Sequence, residues 1–341
     1  MAIRVAQWTT GEVGRPAVRA VLATPGLELV GCFAWSKDKV GKDVGELCKL
    51  PPLGITSTGD LDEFIALRPD VVLYMPLVWS VDEMVRLLEA GINVISTANF
   101  ITGHSYGEEE MRRLDQAAKN GGVSLYGSGV NPGQASAVGL TVAAVCREVE
   151  RLSIFEAADC TPYPSAETWR SVGFGSPPDT PGLAETARKR QLVFQDAVEV
   201  TAKALGVELD DVRYAPEFGV ATKDLDLGYM QIAKGMVCGI KGVWQGIVNG
   251  KPFVELGLLW RLGDAMEPDW PIAEGYVIEV RGVPNVRVRY ELDPPAVGDD
   301  FSASTANPAV NAIPAVVAAH PGLVTIDELP LITARSVSIA S

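Results

Sequence analysis

The stretch Ile3–Leu22, IRVAQWTTGEVGRPAVRAVL, restricts what this chain can fold into more than any other. Its apolar positions Ile3, Val5 and Trp8 read as a strand, and a helical pattern then places Val13, Ala17, Val18, Val21 and Leu22 on one face. Strand, turn and helix in that order form the opening half of a βαβ unit. The turn Thr9-Thr10-Gly11-Glu12-Val13-Gly14 fits G-x-G-x-x-G at its second and third glycines, with Thr9 where the first would stand. Gly11 lets backbone approach a pyrophosphate, and Gly14 lets the helix pack closely on the strand. The N–H groups of the first helical turn then face the phosphates. An ordinary β–α turn is the alternative, and it is the context that favours the dinucleotide reading.

That context is a regular alternation. Leu27–Ala34 reads as a second strand, and Asp60–Leu67 as a short helix. Asp70–Pro76 is a near-continuous apolar run of the kind buried on both faces of a parallel sheet. Ser80 caps a helix from Val81 to Ala90 that ends at Gly91, and Asn93–Thr97 is the next strand. A helix over Glu108–Lys119, a strand at Val123–Tyr126 and a helix from Ala135 to about Val149 complete the run. The fold class is α/β, a Rossmann-type doubly wound parallel sheet with its ligand at the carboxyl ends of the strands. Those ends supply the candidate cofactor contacts: Thr10, Gly11, Glu12 and Val13; Ser36 and Lys37; Met75 and Pro76; Thr97 and Ala98; Asn131 and Pro132.

Roughly twenty residues past the glycine turn, an acidic strand end would accept from the ribose 2′-hydroxyl of NAD. Here the strand runs into Trp35-Ser36-Lys37-Asp38-Lys39, and Ser36 and Lys37 suit the 2′-phosphate of NADP(H). Asp38 keeps NAD open.

From Glu150 the pattern changes. A strand at Leu152–Cys160, a Pro/Gly-rich loop and one long helix, Leu183 to about Leu205, precede a series of strand-like runs: 212–221, 236–248, 252–262, 276–280 and 286–292. Strands in series indicate a second α+β domain with a mixed or antiparallel sheet. The expected boundaries are a dinucleotide-binding domain over 1–134, a substrate-binding and dimerisation domain over 135–304, and a return to the first domain over 305–341. One helix cannot cover both faces of that second sheet, so the open face is expected to meet its own copy in a homodimer.

Composition removes other classes. The net charge of −14 leaves no electrostatic footprint for nucleic acid or anionic lipid. No apolar run reaches the ~18 residues of a membrane span. The five cysteines are scattered without a C-x-x-C pair, which argues against a disulfide framework or structural zinc and for a reducing compartment. With no leader visible at the N-terminus, a cytoplasmic protein acting on a small molecule is expected.

Gly11-x-x-Gly14, Asn93–Thr97, Gly127-Ser128-Gly129-Val130-Asn131-Pro132-Gly133 and Ala309-Val310-Asn311-Ala312-Ile313-Pro314 together resemble the oxidoreductases with a dihydrodipicolinate-reductase-like N-terminal domain. Within them the chain looks most similar to the branch of 2,4-diaminopentanoate dehydrogenase and the native amine dehydrogenases. The resemblance spans nearly the whole chain. It implies a return of the C-terminal segment to the nucleotide domain and a catalytic glutamate just past the strand ending in Ser96-Thr97. Asn99 stands at that position, and an amide orients an amine or carbonyl but accepts no proton. The His-His and Lys cluster of dihydrodipicolinate reductases proper has no counterpart between His104 and His320, so that reaction is not expected.

A proton acceptor must then lie elsewhere. His104, in a loop past the same strand, is either an acid/base group or an exposed or capping histidine. Glu156, Asp159 and Tyr163 lie on or just beyond the strand that follows the crossover, with Glu156 and Ala158 on one face and Asp159 on the other. Asp159 is either a half-buried base or a carboxylate bonded to loop amides. The candidate catalytic set is Asn99, His104, Tyr163 and Asp159, expected in a crevice between the sheet ends and the second domain. Three readings follow: an NADP(H)-dependent amine dehydrogenase aminating a small ketone or aldehyde, an NAD(P)H-dependent reductase of a C=O or conjugated C=C bond, and a dinucleotide-binding protein without turnover.

Overall fold

A computed structural model describes residues 2–99, 105–270, 272, 274–292 and 299–336. They fall into two compact units, Met1–Gln134 with Asp299–Ser341, and Ala135–Gly298.

In the first unit the elements follow in order: β1 (Ile3–Trp8), α1 (Gly14–Ala23), β2 (Leu27–Phe33), α2 (Val44–Leu47), α3 (Leu61–Ala66), β3 (Val71–Tyr74), α4 (Val81–Glu89), β4 (Asn93–Ser96), α5 (Glu108–Gly121) and β5 (Ser124–Gly127). A wide turn at Val130–Gln134 closes this part. The second unit holds α6 (Ala135–Ala143), β6 (Glu148–Asp159), α7 (Ala166–Ser171), α8 (Leu183–Arg190), α9 (Leu192–Ala204), β7 (Asp211–Ala221), β8 (Leu225–Asp226), β9 (Gln231–Ile232), β10 (Val237–Val248), β11 (Lys251–Arg261), β12 (Met266–Glu267), β13 (Gly275–Val283) and β14 (Val286–Tyr290). The chain then supplies the first unit with α10 (Asp299–Val317) and β15 (Gly322–Val324).

The first sheet has six parallel strands in the order β15-β5-β4-β3-β1-β2. Strand alternation divides its side chains between two cores. On one face Val5, Val71, Leu73, Ile95 and Tyr126 pack with Ala17, Val18 and Val21 of α1 and Ala309, Val310 and Ile313 of α10. On the other, Ala6, Trp8, Val72, Tyr74 and Val94 pack with Met84, Leu87 and Leu88 of α4 and Met111 and Leu114 of α5. Trp8 stacks on Phe33 with ring centroids 3.9 Å apart. This is the doubly wound architecture. Ser80 caps α4 as read, accepting from the Glu83 N–H, and Asp60 caps α3. Leu22 departs from the expected apolar face. It is 46% exposed, because it lies one helical step past Val21 and over the edge of the stripe.

The second sheet has seven strands in the order β12-β7-β10-β11-β6-β13-β14, with only β11 and β6 parallel. Two expectations fail in this unit. The helix read to about Val149 stops at Ala143. The Arg147 N–H donates to the Val283 carbonyl, and Glu148 and Val149 pair with Val283 and Gly282 of β13, so a distant strand captures locally helical residues. The long helix read over Leu183–Leu205 is broken at Gln191, whose backbone (φ −109°, ψ 17°) leaves the helical region. Gln191 is buried and accepts from the Tyr214 hydroxyl at 3.1 Å. In the first unit, α10 runs from Asp299 through both Pro308 and Pro314. Among the described residues no helix is long and apolar enough to cross a membrane.

Candidate active site

The glycine turn is built as a close approach. Thr9, in the place of the first motif glycine, takes the left-handed conformation (φ 70°) that glycine usually supplies. Its N–H donates to the Phe33 carbonyl and its hydroxyl donates to the Met75 carbonyl at 3.0 Å, which ties the turn to both neighbouring strand ends. A Cβ on Gly14 would lie 2.2 Å from the Thr9 carbonyl oxygen, so only glycine lets α1 start there. A Cβ on Gly11 would meet no protein atom within 4 Å.

Thr10 is 2% exposed, and its hydroxyl has no hydrogen-bond partner among the described residues. No side chain caps α1 and no acid lies in its first turn, so the positive end of the helix is not offset from within. Glu12 is neutralised by Arg15 at 2.7 Å. Lys39 reaches back from beyond β2, its Nζ donating to the Thr10 carbonyl at 3.3 Å. A cradle with an orphaned hydroxyl, an uncapped helix start and a lysine beside it fits a dinucleotide pyrophosphate. Sequence reading missed Lys39, because its approach depends on the fold of the 35–42 loop.

At the end of β2, Ser36, Lys37 and Asp38 are all exposed. The Ser36 hydroxyl bonds Asp38 and is the main cause holding that carboxyl below its usual value. Met75 and Pro76, at the end of β3, are buried. After β4, the Ser96 hydroxyl organises the chain: it donates to the Asn99 side-chain oxygen Oδ1 at 2.6 Å and accepts from the backbone N–H groups of Ala98 and Asn99. Asn99 is 2% exposed, and its oxygen is thereby committed inside the fold. Thr97 donates its N–H to the Tyr74 carbonyl. Past β5, Asn131 is extended (φ −135°, ψ 125°), as a residue before proline should be, and Pro132 is buried. His104 lies outside the described residues.

In the second unit the strand β6 carries the other candidates. Glu156 lies on the helix-facing side with Leu152 and Ile154. Its Oε1 accepts from the Tyr276 hydroxyl at 2.7 Å and its Oε2 from the Trp260 indole N–H at 2.8 Å. Asp159 accepts from the Thr161 hydroxyl and N–H, and lies 3.3 Å from Arg261. Tyr163 packs edge-on against Trp169, 5.7 Å between centroids, and its carbonyl accepts from the Trp169 indole. Trp169 in turn meets Trp260 at 6.0 Å. Burial and the Glu156 charge push the Tyr276 phenol well above its ordinary value. Trp260 is therefore a partner of Glu156. Its role and that of Tyr276 were hidden because strand register decides both.

Known proteins give this geometry its relatives. Residues 7–125 match the dihydrodipicolinate reductase N-terminus family, and residues 136–340 the 2,4-diaminopentanoate dehydrogenase C-terminal domain family. An amine dehydrogenase of Streptomyces virginiae is 30% identical over 351 aligned positions, 95% of each chain. A 2,4-diaminopentanoate dehydrogenase of Acetoanaerobium sticklandii is 26% identical over 257, covering 73% of this chain and 70% of that one. The solved amine dehydrogenase of Mycobacterium smegmatis superimposes with a TM-score of 0.81 over 98% of both chains at 20% identity, a likeness of fold. With its six-stranded nucleotide-binding sheet and its seven-stranded second sheet, the chain belongs to the 2,4-diaminopentanoate dehydrogenase C-terminal-domain family and is an NAD(P)-dependent oxidoreductase of the amine dehydrogenase type.

Proposed function

We propose that this chain is an NADP(H)-dependent amine dehydrogenase that reductively aminates a small ketone or aldehyde and oxidises the corresponding amine. The observation that carries the cofactor half of this reading is the Thr9–Gly14 cradle, with its orphaned Thr10 hydroxyl and the open approach at Gly11. When bound, the nicotinamide supplies hydride exchange at the substrate carbon. Thr10, Gly11, Glu12 and Val13 hold the pyrophosphate through backbone and hydroxyl groups. Ser36 and Lys37 take the 2′-phosphate, with Asp38 already engaged by Ser36. Met75, Pro76, Thr97, Ala98, Asn131 and Pro132 line the cofactor along the strand ends.

The substrate half rests on the relatives' named activities. Asn99 orients the reacting group through its amide nitrogen, since its oxygen is bonded to Ser96. Tyr163 contributes apolar wall and hydroxyl, and His104 and Asp159 are the proton-handling alternatives named by the sequence. Of these two, Asp159 already has Thr161 and Arg261 on its oxygens. Ammonia-dependent oxidation of NADPH by a ketone panel tests the reading. One observation favours a second reading: the amide at Asn99, which suits a reductase of C=O or conjugated C=C. That enzyme would oxidise NADPH without ammonia.

The second unit is proposed to bind substrate and to pair with its own copy. Helices α6 and α9 cover one face of its sheet. The other carries half-buried Phe155, Val243, Leu259 and Val277 among charged residues such as Lys241 and Glu217. Such a face is suited to a two-fold partner. A monomer by light scattering at micromolar concentration would refute the pairing. None of the five cysteines forms a disulfide, which supports a cytoplasmic location.

A further inference from the structure

On the cofactor reading above, a preference for NADP(H) has to come from groups that gain more from a 2′-phosphate than from a 2′-hydroxyl. We propose that Lys39 is a further specificity-determining residue of this site, a cation held at the glycine turn that receives the 2′-phosphate beside Ser36 and Lys37.

The loop after β2 is a built structure at Lys39 and an open one at Lys37. The Lys39 N–H donates to the Ser36 carbonyl at 2.9 Å, and the Lys39 carbonyl accepts from the Ser57 hydroxyl at 2.6 Å. Ser57 is 2% exposed, and its N–H donates to the Lys42 carbonyl while its own carbonyl accepts from the Gly41 N–H. Lys37 is exposed and takes part in none of these bonds, whereas Lys39 is half-buried. A lysine with a fixed backbone and a placed ammonium loses less conformational freedom on binding than one free in solvent.

The Lys39 side chain crosses from β2 to the start of the glycine turn. β1 and β2 are parallel neighbours, and Nζ donates to the Thr10 carbonyl at 3.3 Å. The ammonium therefore stands between the turn and the carboxyl end of β2. A doubly wound fold places the adenosine ribose of its dinucleotide in that gap. Burial pushes the Cys32 thiol of β2 up and the Lys39 charge pulls it the other way, which agrees with a charge close to the strand end.

The ammonium is also available. It carries three donors, of which the Thr10 carbonyl takes one. Among the described residues Lys39 forms no ion pair, since Glu12 is taken by Arg15 and Glu46 by Lys42. Asp38 feels the Lys39 charge, but the Ser36 hydroxyl is the main cause that holds its carboxyl below the usual value. Two remaining N–H donors on a placed cation suit a phosphate, where each bond is charge-assisted, far more than a hydroxyl.

The test compares NADPH and NADH dissociation constants, read by cofactor fluorescence without substrate, in the native full chain and in Lys39→Gln. Glutamine keeps an N–H for the Thr10 carbonyl and removes the charge. Lys39→Gln should raise the NADPH Kd by about 10–100-fold, the fold-change of one charge-assisted bond, and leave the NADH Kd within about twofold. Lys39→Arg should keep the preference for NADPH. The NADPH affinity of Lys39→Gln should also depend less on salt than that of the native chain, which a lysine that merely braced the turn would not bring about. Equal losses for both cofactors, or no loss for either, would overturn the proposal. If Lys39→Gln does not melt as a folded chain, the exposed Lys37→Met variant decides. A steeper salt dependence for NADPH than for NADH that persists in it supports a second cation at the 2′-phosphate, and parallel dependences overturn one. A native preference for NADPH that survives Lys39→Gln defeats this proposal alone, whereas equal native affinities for the two cofactors defeat the NADP(H) reading with it.

Discussion

Gly11 and Gly14 stand three residues apart in one turn, and the structure assigns them opposite jobs. At Gly14 an alanine Cβ would lie 2.2 Å from the Thr9 carbonyl oxygen and 3.1 Å from the Gln7 amide. Thr9 cannot retreat easily, because its N–H and hydroxyl bind both neighbouring strands. Overpacking of this kind costs about 1–3 kcal/mol, and a contact with backbone belongs at the upper end. Better helix propensity returns at most about 1 kcal/mol. The net loss is on the order of 2 kcal/mol, which for a unit of this size lowers Tm by roughly 4–8 °C. At Gly11 the added methyl meets no protein atom, and the backbone is not in the left-handed region. Gly11→Ala should leave Tm unchanged or raised, by about 0.4–1 kcal/mol of stability. It should still weaken NADPH binding by at least ~10-fold, since the methyl fills the approach to the pyrophosphate. Thermal melts without cofactor and fluorescence titration with NADPH separate the two effects. A Gly11→Ala chain that binds NADPH like the native one, or a Gly14→Ala chain that melts with it, would refute the turn as drawn.

Lys37→Ala should narrow the preference for NADPH over NADH by about 1.5–3 kcal/mol, the worth of one charge-assisted phosphate bond; equal native affinities for the two cofactors would remove the basis of this expectation. Asn99→Ala should cut turnover about 10²-fold if the amide anchors the transition state, with cofactor affinity nearly constant, and an undiminished rate would displace the site. Asp43, whose carboxyl is held below its ordinary value chiefly by the Leu53 N–H and also by those of Gly45 and Gly54, ties the 43–54 loop. Its folded pKa is depressed, so its contribution is present above the unfolded value and is lost as pH falls through the folded one. Asp43→Ala should therefore lower Tm at neutral pH and converge with the native chain in acid; a constant difference in melts across pH would contradict this.

What the sequence made legible was whatever depends on near neighbours. The alternation of β1, the glycine spacing of the turn and the Ser80 cap are local, and each is found where it was read. Fully buried β3 was legible from its unbroken apolar run. The failures are all long-range. Nothing near Glu148 announces that β13 will claim it, and the kink at Gln191 depends on a hydroxyl from Tyr214. The setting of Glu156 depends on residues more than a hundred positions away, brought over it by parallel pairing on one side and antiparallel on the other. Even Thr9, which breaks the glycine motif on paper, fulfils it in the fold by adopting a positive φ.

The central claim is that this chain exchanges hydride between NADP(H) and the carbon bearing an amine. The measurement that tests it most directly is NADPH oxidation by a panel of small ketones and aldehydes, with and without ammonium, in the purified native chain. The account predicts turnover that requires ammonium, yields the amine as product and runs faster with NADPH than with NADH. Ketone-driven oxidation at the same rate without ammonium, or no oxidation with any carbonyl despite tight NADPH binding, would contradict it.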